Sequence, residues 1–203
     1  PYNSPLDCAP TCPTKMIKAL TLMLALAGAF PAAMAQDAKA GEKKAAMCIG
    51  CHGIAGYQAS FPEVHKVPMI AGQGAKYIAS ALAAYKKGER KHPTMRGIAA
   101  SLSDQDVADL AAFYEQLGRS SVVTVADTPA VAPSGEVGAL LTKGACASCH
   151  GANFNKPIDG AYPKLAGQHA DYLYVALKAY QTEGNPTLGR SNALMVGQAK
   201  QYK

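Results

Sequence analysis

The strongest constraint on the fold is a pentapeptide, Cys-X-X-Cys-His, that occurs twice in the 203-residue chain. Two thiols three positions apart can both reach the vinyl groups of one porphyrin, and the histidine after the second thiol then lies beneath the iron. The spacing therefore predicts two covalently attached haems c, each held by two cysteines and one proximal histidine. The residues are Cys48, Cys51 and His52 in the first copy, and Cys146, Cys149 and His150 in the second.

Two other kinds of site use paired cysteines. A redox disulfide of the thioredoxin type expects a strand before the motif, and both motifs instead follow Ala-, Gly- and Lys-containing segments without a β-branched run. A structural zinc site usually places its two half-sites about 12 to 20 residues apart. Most of a domain separates Cys51 from Cys146, so the spacing favours haem over zinc.

An internal repeat organises the chain around the two motifs. A Pro-X-X-Ala-Gly-Gln block follows each motif, and two tyrosines and a leucine follow each block at the same intervals. The matched residues are Pro68, Gln73, Tyr77, Leu82 and Tyr85 in the first half, and Pro163, Gln168, Tyr172, Leu177 and Tyr180 in the second. The repeat predicts two homologous domains of one haem each, over residues 36–118 and 135–203. Residues 119–134 contain prolines and small polar residues without a helical pattern and are predicted to be a linker.

The first 35 residues are predicted to be absent from the mature protein. Residues 16–35 have an early lysine, an apolar run and a small-X-small cleavage site, as in a secretory signal peptide. The apolar run is shorter than the roughly 20 residues that span a bilayer. Residues 1–15, with Cys8 and Cys12, have no initiator methionine and are interpreted as an over-extended start. The signal predicts export to the periplasm and makes a nucleic-acid partner improbable.

Helical patterns fill both domains. Residues 38–48 and 76–87 are predicted helices of the first domain, and residues 137–146 and 170–181 are their counterparts. The clearest helix is 103–117, where Ser103 is a predicted N-cap and Gly118 a predicted stop. The chain ends before a counterpart of this last helix, so the second domain is expected to lack its C-terminal helix.

The sixth ligand of each iron is predicted to be a methionine. Met95 and Met195 occupy equivalent places in the repeat, on a segment expected to be a loop that folds over the porphyrin. Methionine is often only core filler, but His/Met ligation is recurrent in cytochromes. Met69 corresponds to Lys164 and is predicted to pack in the interior.

Histidines and prolines near the motifs have alternative interpretations. His92, in a polar segment beside lysines, is an alternative ligand to Met95, but a solvated side chain is the simpler interpretation. His65 and His169 are expected at the surface or behind the ligands. The carbonyls of Pro68 and Pro163 are candidate acceptors for the Nδ1 proton of the proximal imidazole, unless the prolines only form turns.

The two haem motifs, the Pro-X-X-Ala-Gly-Gln blocks, the tyrosine-containing helices and residues 95–106 together resemble cytochrome c4. The resemblance implies an all-α protein of two tandem class I cytochrome c domains, each wrapped around one covalent haem, with the haems facing one another across the domain interface. It implies His52 and Met95 as the ligands of one iron, and His150 and Met195 as the ligands of the other. It also implies a periplasmic electron carrier that is not an enzyme.

The resemblance implies redox proteins as partners. A quinol-oxidising complex or a dehydrogenase would be the electron donor and a terminal oxidase the acceptor, with membrane association only through a partner. The alternatives are an electron-accepting subunit of a sulfur- or alcohol-oxidising dehydrogenase and a dihaem peroxidase, which would need an open iron position.

The charge bears on how such partners dock. The whole chain has a formal charge of +6, and residues 36–203 carry +5, which four haem propionates would reduce to about +1. Lys86, Lys87, Arg90 and Lys91 form a predicted basic patch that could steer an acidic partner, unless they form only a solvated loop.

Overall fold

The computed structural model describes residues 35–120 and 131–202, with only the backbone described at 118–120. The predicted leader, apart from its last residue, and residues 121–130 of the predicted linker lie outside the described residues. Across these two described ranges, no helix is both long enough and apolar enough to cross a membrane. The fold is built from short helices and four strands of two residues each.

The first half contains five helices in the described residues. Asp37 caps the first of them, where its carboxylate accepts from the backbone N–H groups of Lys39 and Ala40. The bounds are α1 Ala38–Lys44, α2 Ala46–His52, α3 Ala75–Lys87, α4 Pro93–Ala100 and α5 Asp104–Ser120. The predicted helix over 38–48 is therefore two helices that meet at Ala45, where the chain turns before the first haem motif.

The second half repeats four of these helices. They are α6 Gly135–Lys143, α7 Cys146–His150, α8 Ala170–Gln181 and α9 Ala193–Ala199. The predicted helix over 137–146 is again interrupted, here at Gly144 and Ala145, and Ala145 adopts a left-handed conformation with φ of 45°. Both haem motifs thus lie in a short helix that follows a break in the chain.

The core of the first half lies where α1 and α5 cross. Gly41 is buried there because a side chain at that position would overlap the backbone of Asp109 and the side chain of Phe113. The buried residues of this core are Ala45, Ala75, Ile78, Leu110, Ala111 and Tyr114, with Cys48 packed against them. The first haem motif therefore packs against this core through Cys48.

Ser103 and Asp106 form the predicted cap of α5. The Ser103 hydroxyl accepts from the backbone N–H of Asp106, and the Asp106 carboxylate accepts from the backbone N–H of Ser103. The predicted stop at Gly118 is wrong, since the helix continues to Ser120. A glycine disfavours a helix by only about 1 kcal/mol, so a well-packed helix can continue through it.

The strands form two antiparallel pairs. The first pair, β1 Gln58–Ala59 with β2 His65–Lys66, closes the loop after the first haem motif. The second pair, β3 Arg90–Lys91 with β4 Gly189–Arg190, joins the two halves and places Arg90 opposite Arg190. Equivalent segments of the repeat therefore meet at one antiparallel contact.

Candidate haem-binding sites

Each haem motif occupies one helical turn. In α2, Cys51 and His52 follow Cys48 by three and four residues, a spacing that puts all three on one face of a helix. The second motif, in α7, has the same arrangement. None of the four motif cysteines is paired in a disulfide, and burial raises the pKa of the Cys48 and Cys146 thiols. Two unpaired thiols beside one histidine are the donor set that covalent haem attachment requires.

Both proximal histidines are held by prolyl carbonyls, as the sequence predicted. Nδ1 of His52 lies 2.8 Å from the carbonyl oxygen of Pro68, and Nδ1 of His150 lies 2.9 Å from that of Pro163. A carbonyl can only accept, so each Nδ1 carries the proton and each Nε2 is left with a free lone pair. Burial lowers the pKa of His52, which favours the neutral imidazole that binds a metal.

Met95 and Met195 are equivalent in the structure as well as in the sequence. Each is the third residue of a short helix, α4 or α9, and each is half-buried. The residue before each helix caps it, since the Met95 N–H donates to Nδ1 of His92 at 3.4 Å and the Met195 N–H donates to the Asn192 side chain at 3.1 Å. The predicted loop is therefore wrong: both methionines lie in the first turn of a capped helix, which fixes their backbone.

His92 is a capping residue instead of a solvated side chain. Its ring is half-buried against Phe61, edge-on at 5.4 Å between ring centroids. Burial lowers the pKa of His92, and the nearby His65 lowers it further to a smaller extent. Because Nδ1 accepts from the Met95 N–H, the ring carries its proton on Nε2, so His92 serves to position Met95.

Three other predictions on single residues are resolved by burial. Met69 is 41% exposed, so its predicted packing role is wrong. His65 is 4% exposed, and its Nδ1 contacts the Glu63 carbonyl, so it is not a surface residue. His169 is half-buried and precedes α8 as its N-cap residue.

The predicted basic patch is not one surface. Arg90 is half-buried and donates both terminal nitrogens to the Tyr77 hydroxyl at 3.2 Å. Its guanidinium also lies 5.3 and 5.7 Å from the ring centroids of Tyr77 and Tyr85. Lys91 reaches into the other half and donates to the Asn185 carbonyl. The Arg90 side chain therefore contacts tyrosines of its own half, whereas Lys91 joins the two halves.

The second half repeats this arginine cluster. Arg190 donates to the Tyr172 hydroxyl at 3.1 Å and lies over the rings of Tyr172 and Tyr180, at 5.7 and 5.4 Å. Sequence reasoning noted the four tyrosines as repeat markers and missed their arginine partners. A signal was available, because Arg90 follows Tyr85 by five residues and Arg190 follows Tyr180 by ten, each shortly before a predicted iron ligand.

The residues present fit a covalently bound haem better than a zinc ion. Across residues 35–120 and 131–202, no three His, Cys, Asp or Glu side chains converge as metal ligands. Each motif instead offers two thiols for a porphyrin and one imidazole nitrogen for its iron. The buried Tyr114 hydroxyl interacts with the Cys48 thiol and has no partner of normal hydrogen-bond geometry within the described part of the chain.

Comparisons with known proteins agree with this chemistry. The cytochrome c family matches the chain twice, over residues 38–118 and 136–202. Cytochrome c4 of Azotobacter vinelandii is 37% identical, with 89% of each chain covered. The thiosulfate dehydrogenase electron acceptor of Thiomonas intermedia is 33% identical, over 83% of this chain and 76% of its own length.

The structural comparison gives the same result. The crystal structure of reduced recombinant cytochrome c4 from Pseudomonas stutzeri matches with a TM-score of 0.54 and 28% identity, over 83% of this chain and 92% of that one. The protein is thus built from two cytochrome c domains and carries two covalently attached haems c. This chain belongs to the cytochrome c4 family.

Proposed function

We propose that this protein is a periplasmic dihaem electron carrier, with Cys48 and Cys51 attaching one haem and Cys146 and Cys149 the other. The axial ligands are His52 with Met95, and His150 with Met195. The hydrogen bond from Nδ1 to a prolyl carbonyl at both histidines carries the proposal, because it fixes each ring and leaves Nε2 for the iron. The haem supplies the one-electron redox change, and the protein sets its potential.

The chain's residues favour transfer over catalysis. A haem enzyme needs an open or displaceable iron position, whereas a firm methionine ligand fills it. The caps at His92 and Asn192 hold Met95 and Met195 at fixed backbone positions. An iron whose two open positions are filled by protein ligands can transfer an electron but cannot bind a substrate, so we assign no catalytic residue.

The ferric absorption spectrum tests the ligand assignment. We expect the weak long-wavelength sulfur-to-iron band at the intensity of two haems in the full protein, matured in a host that attaches c-type haems. Met95→Ala and Met195→Ala should each remove half of this intensity. Met69→Ala is the control and should leave the band unchanged, because Met69 is exposed. A band at full intensity in Met95→Ala would overturn the assignment.

The partners follow from the carrier role. We propose a quinol-oxidising complex or a dehydrogenase as donor and a terminal oxidase as acceptor, in the periplasm, which the predicted signal peptide supports. A second candidate is the electron-accepting cytochrome of a dehydrogenase, which is supported by the name of the Thiomonas intermedia relative. Rapid mixing distinguishes them: fast reduction of the ferric protein by thiosulfate dehydrogenase favours the second, and fast oxidation of the ferrous protein by terminal-oxidase membranes favours the first.

A further inference from the structure

Two glutamines cross between the halves and bind the peptide group next to each proximal histidine. The Met69 N–H donates to Gln168 Oε1 at 3.0 Å, and Gln168 Nε2 donates to the Met69 carbonyl at 2.9 Å. In the other direction, the Lys164 N–H donates to Gln73 Oε1 at 3.0 Å, and Gln73 Nε2 donates to the Lys164 carbonyl at 2.5 Å. Gln73 and Gln168 are equivalent residues of the repeat, so the exchange is reciprocal.

The glutamine orientation is fixed by its partners. A backbone N–H can only donate and a carbonyl can only accept, so the side-chain oxygen must face the N–H of Met69 or Lys164. Gln73 is 7% exposed. Gln168 Oε1 also accepts from the His169 N–H at 3.1 Å. Each amide is therefore held in one orientation.

The N–H that each glutamine oxygen accepts from belongs to the same peptide unit as the carbonyl that accepts from a proximal histidine. The carbonyl of Pro68 and the N–H of Met69 belong to one peptide unit, and that carbonyl accepts from His52. Pro163 and Lys164 form the corresponding unit for His150. A continuous chain of hydrogen bonds thus runs from each histidine, through one peptide group, to a glutamine of the opposite domain.

Hydrogen bonds in such a chain polarise one another. When the glutamine oxygen accepts from the peptide N–H, the prolyl oxygen becomes more negative and accepts more strongly from Nδ1. A stronger bond at Nδ1 makes the imidazole a more basic ligand, which stabilises the ferric iron and lowers its potential.

From this arrangement we propose that Gln168 tunes the haem on His52, and Gln73 the haem on His150, each acting across the domain interface as a positioning residue. This inference rests on the ligand assignment in the proposed function.

Redox titration of the holoprotein tests the proposal with uncharged substitutions. Gln168→Leu should raise the potential of the haem on His52 and leave the other unchanged, and Gln73→Leu should do the reverse. Met95→Ala and Met195→Ala, which each move one potential, assign the two waves. A second readout is the NMR signal of the Nδ1 proton, in ¹⁵N-histidine-labelled ferrous protein, which should move upfield only at the histidine opposite the substituted glutamine.

Two further variants separate tuning from loss of the interface. Ser191→Ala removes a neutral hydroxyl contact between the halves, to the Glu89 carbonyl, without touching a prolyl peptide, and should move neither potential. Gln168→Glu retains the acceptor and should not raise the potential on His52, which provides a folded comparison if the leucine variant is unstable.

The outcomes are distinct. The proposal is supported if each glutamine substitution shifts the potential of the haem in the opposite domain and leaves the other potential unchanged. Equal shifts of both haems, or a shift only in the domain of the substituted residue, would overturn it while leaving the electron-carrier function intact. A wild-type protein without two His/Met haems would instead contradict the proposed function itself.

Discussion

Tyr77 is a half-buried residue, and ionisation of its hydroxyl lowers the stability of the native state. Burial raises the pKa of its hydroxyl to about 12, with a smaller contribution from the nearby Tyr172, against about 10 in an unfolded chain. The native state therefore keeps its proton at a pH where the unfolded chain releases it. This contribution to stability is complete below pH 10 and is lost as the pH rises towards 12.

We expect Tyr77→Phe to flatten the loss of stability between pH 10 and 12, by at most on the order of 2 kcal/mol. At neutral pH the variant should be slightly less stable, because it loses the hydrogen bonds from Arg90. Urea unfolding followed by circular dichroism at pH 8, 10 and 12 measures both effects. Tyr57→Phe is the control, since Tyr57 is 42% exposed. Equal alkaline slopes for wild type and Tyr77→Phe would contradict the prediction.

At the scale of the element, the crossing of α1 and α5 depends on one glycine. A side chain at Gly41 would meet the Asp109 backbone, which cannot yield as a flexible side chain can. Gly138, in the corresponding helix α6, has only the Pro133 carbonyl at 3.9 Å. The two helical glycines are therefore opposite in their packing.

Gly41→Ala should therefore destabilise the protein by about 1–3 kcal/mol through overpacking. Gly138→Ala should instead stabilise it by about 0.5–1 kcal/mol, because alanine is the better helix former. Thermal unfolding of the two holoproteins, compared with the wild type, measures both changes. If the two substitutions had the same effect on the unfolding temperature, the close approach of α1 to α5 would not be what requires a glycine at position 41.

How far the sequence predicts the elements depends on whether a residue's partner is local. The haem motifs, the Ser103 cap and the prolyl acceptors involve residues close in the chain, and the structure contains the cap and both prolyl contacts that the sequence predicts. The helix around Met95 was missed although Pro93 stands at its first turn, a position where proline favours a helix start. The glutamine contacts depend on how the halves pack, and the arginine contacts depend on how a strand meets a helix within each half. Periodicity encodes neither.

At the scale of the whole molecule, two kinds of contact join the halves. Exposed ion pairs lie around the contact: Lys76 with Asp159, Lys178 with Glu63, and Lys66 with Asp171 at 4.0 Å. Such pairs contribute about 0–1 kcal/mol and are screened by salt. The paired strands β3 and β4 and the crossed glutamines depend less on exposed charges, so they should carry most of the attachment. Each arginine cluster supports one of the two strands from within its own half.

The arginine clusters provide the sharpest test of this division. Lysine retains the positive charge but cannot stack a planar group on two tyrosine rings while donating to a hydroxyl. Arg190 lies in β4 and contacts Tyr172 and Tyr180 of α8 in its own half, so Arg190→Lys should loosen β4 from α8 by about 1–2 kcal/mol. Because β4 pairs with β3 of the other half, the halves should then separate more readily, seen as a larger radius of gyration in small-angle X-ray scattering.

The double variant Glu63→Gln with Asp159→Asn removes two of the ion pairs and should leave the radius unchanged at both low and high salt. If this double variant expanded while Arg190→Lys did not, the exposed charges would hold the halves together. Paired strands that are supported by stacked arginines would make the contact between the halves insensitive to ionic strength. Salt could then weaken docking to a charged redox partner without altering the arrangement of the two domains.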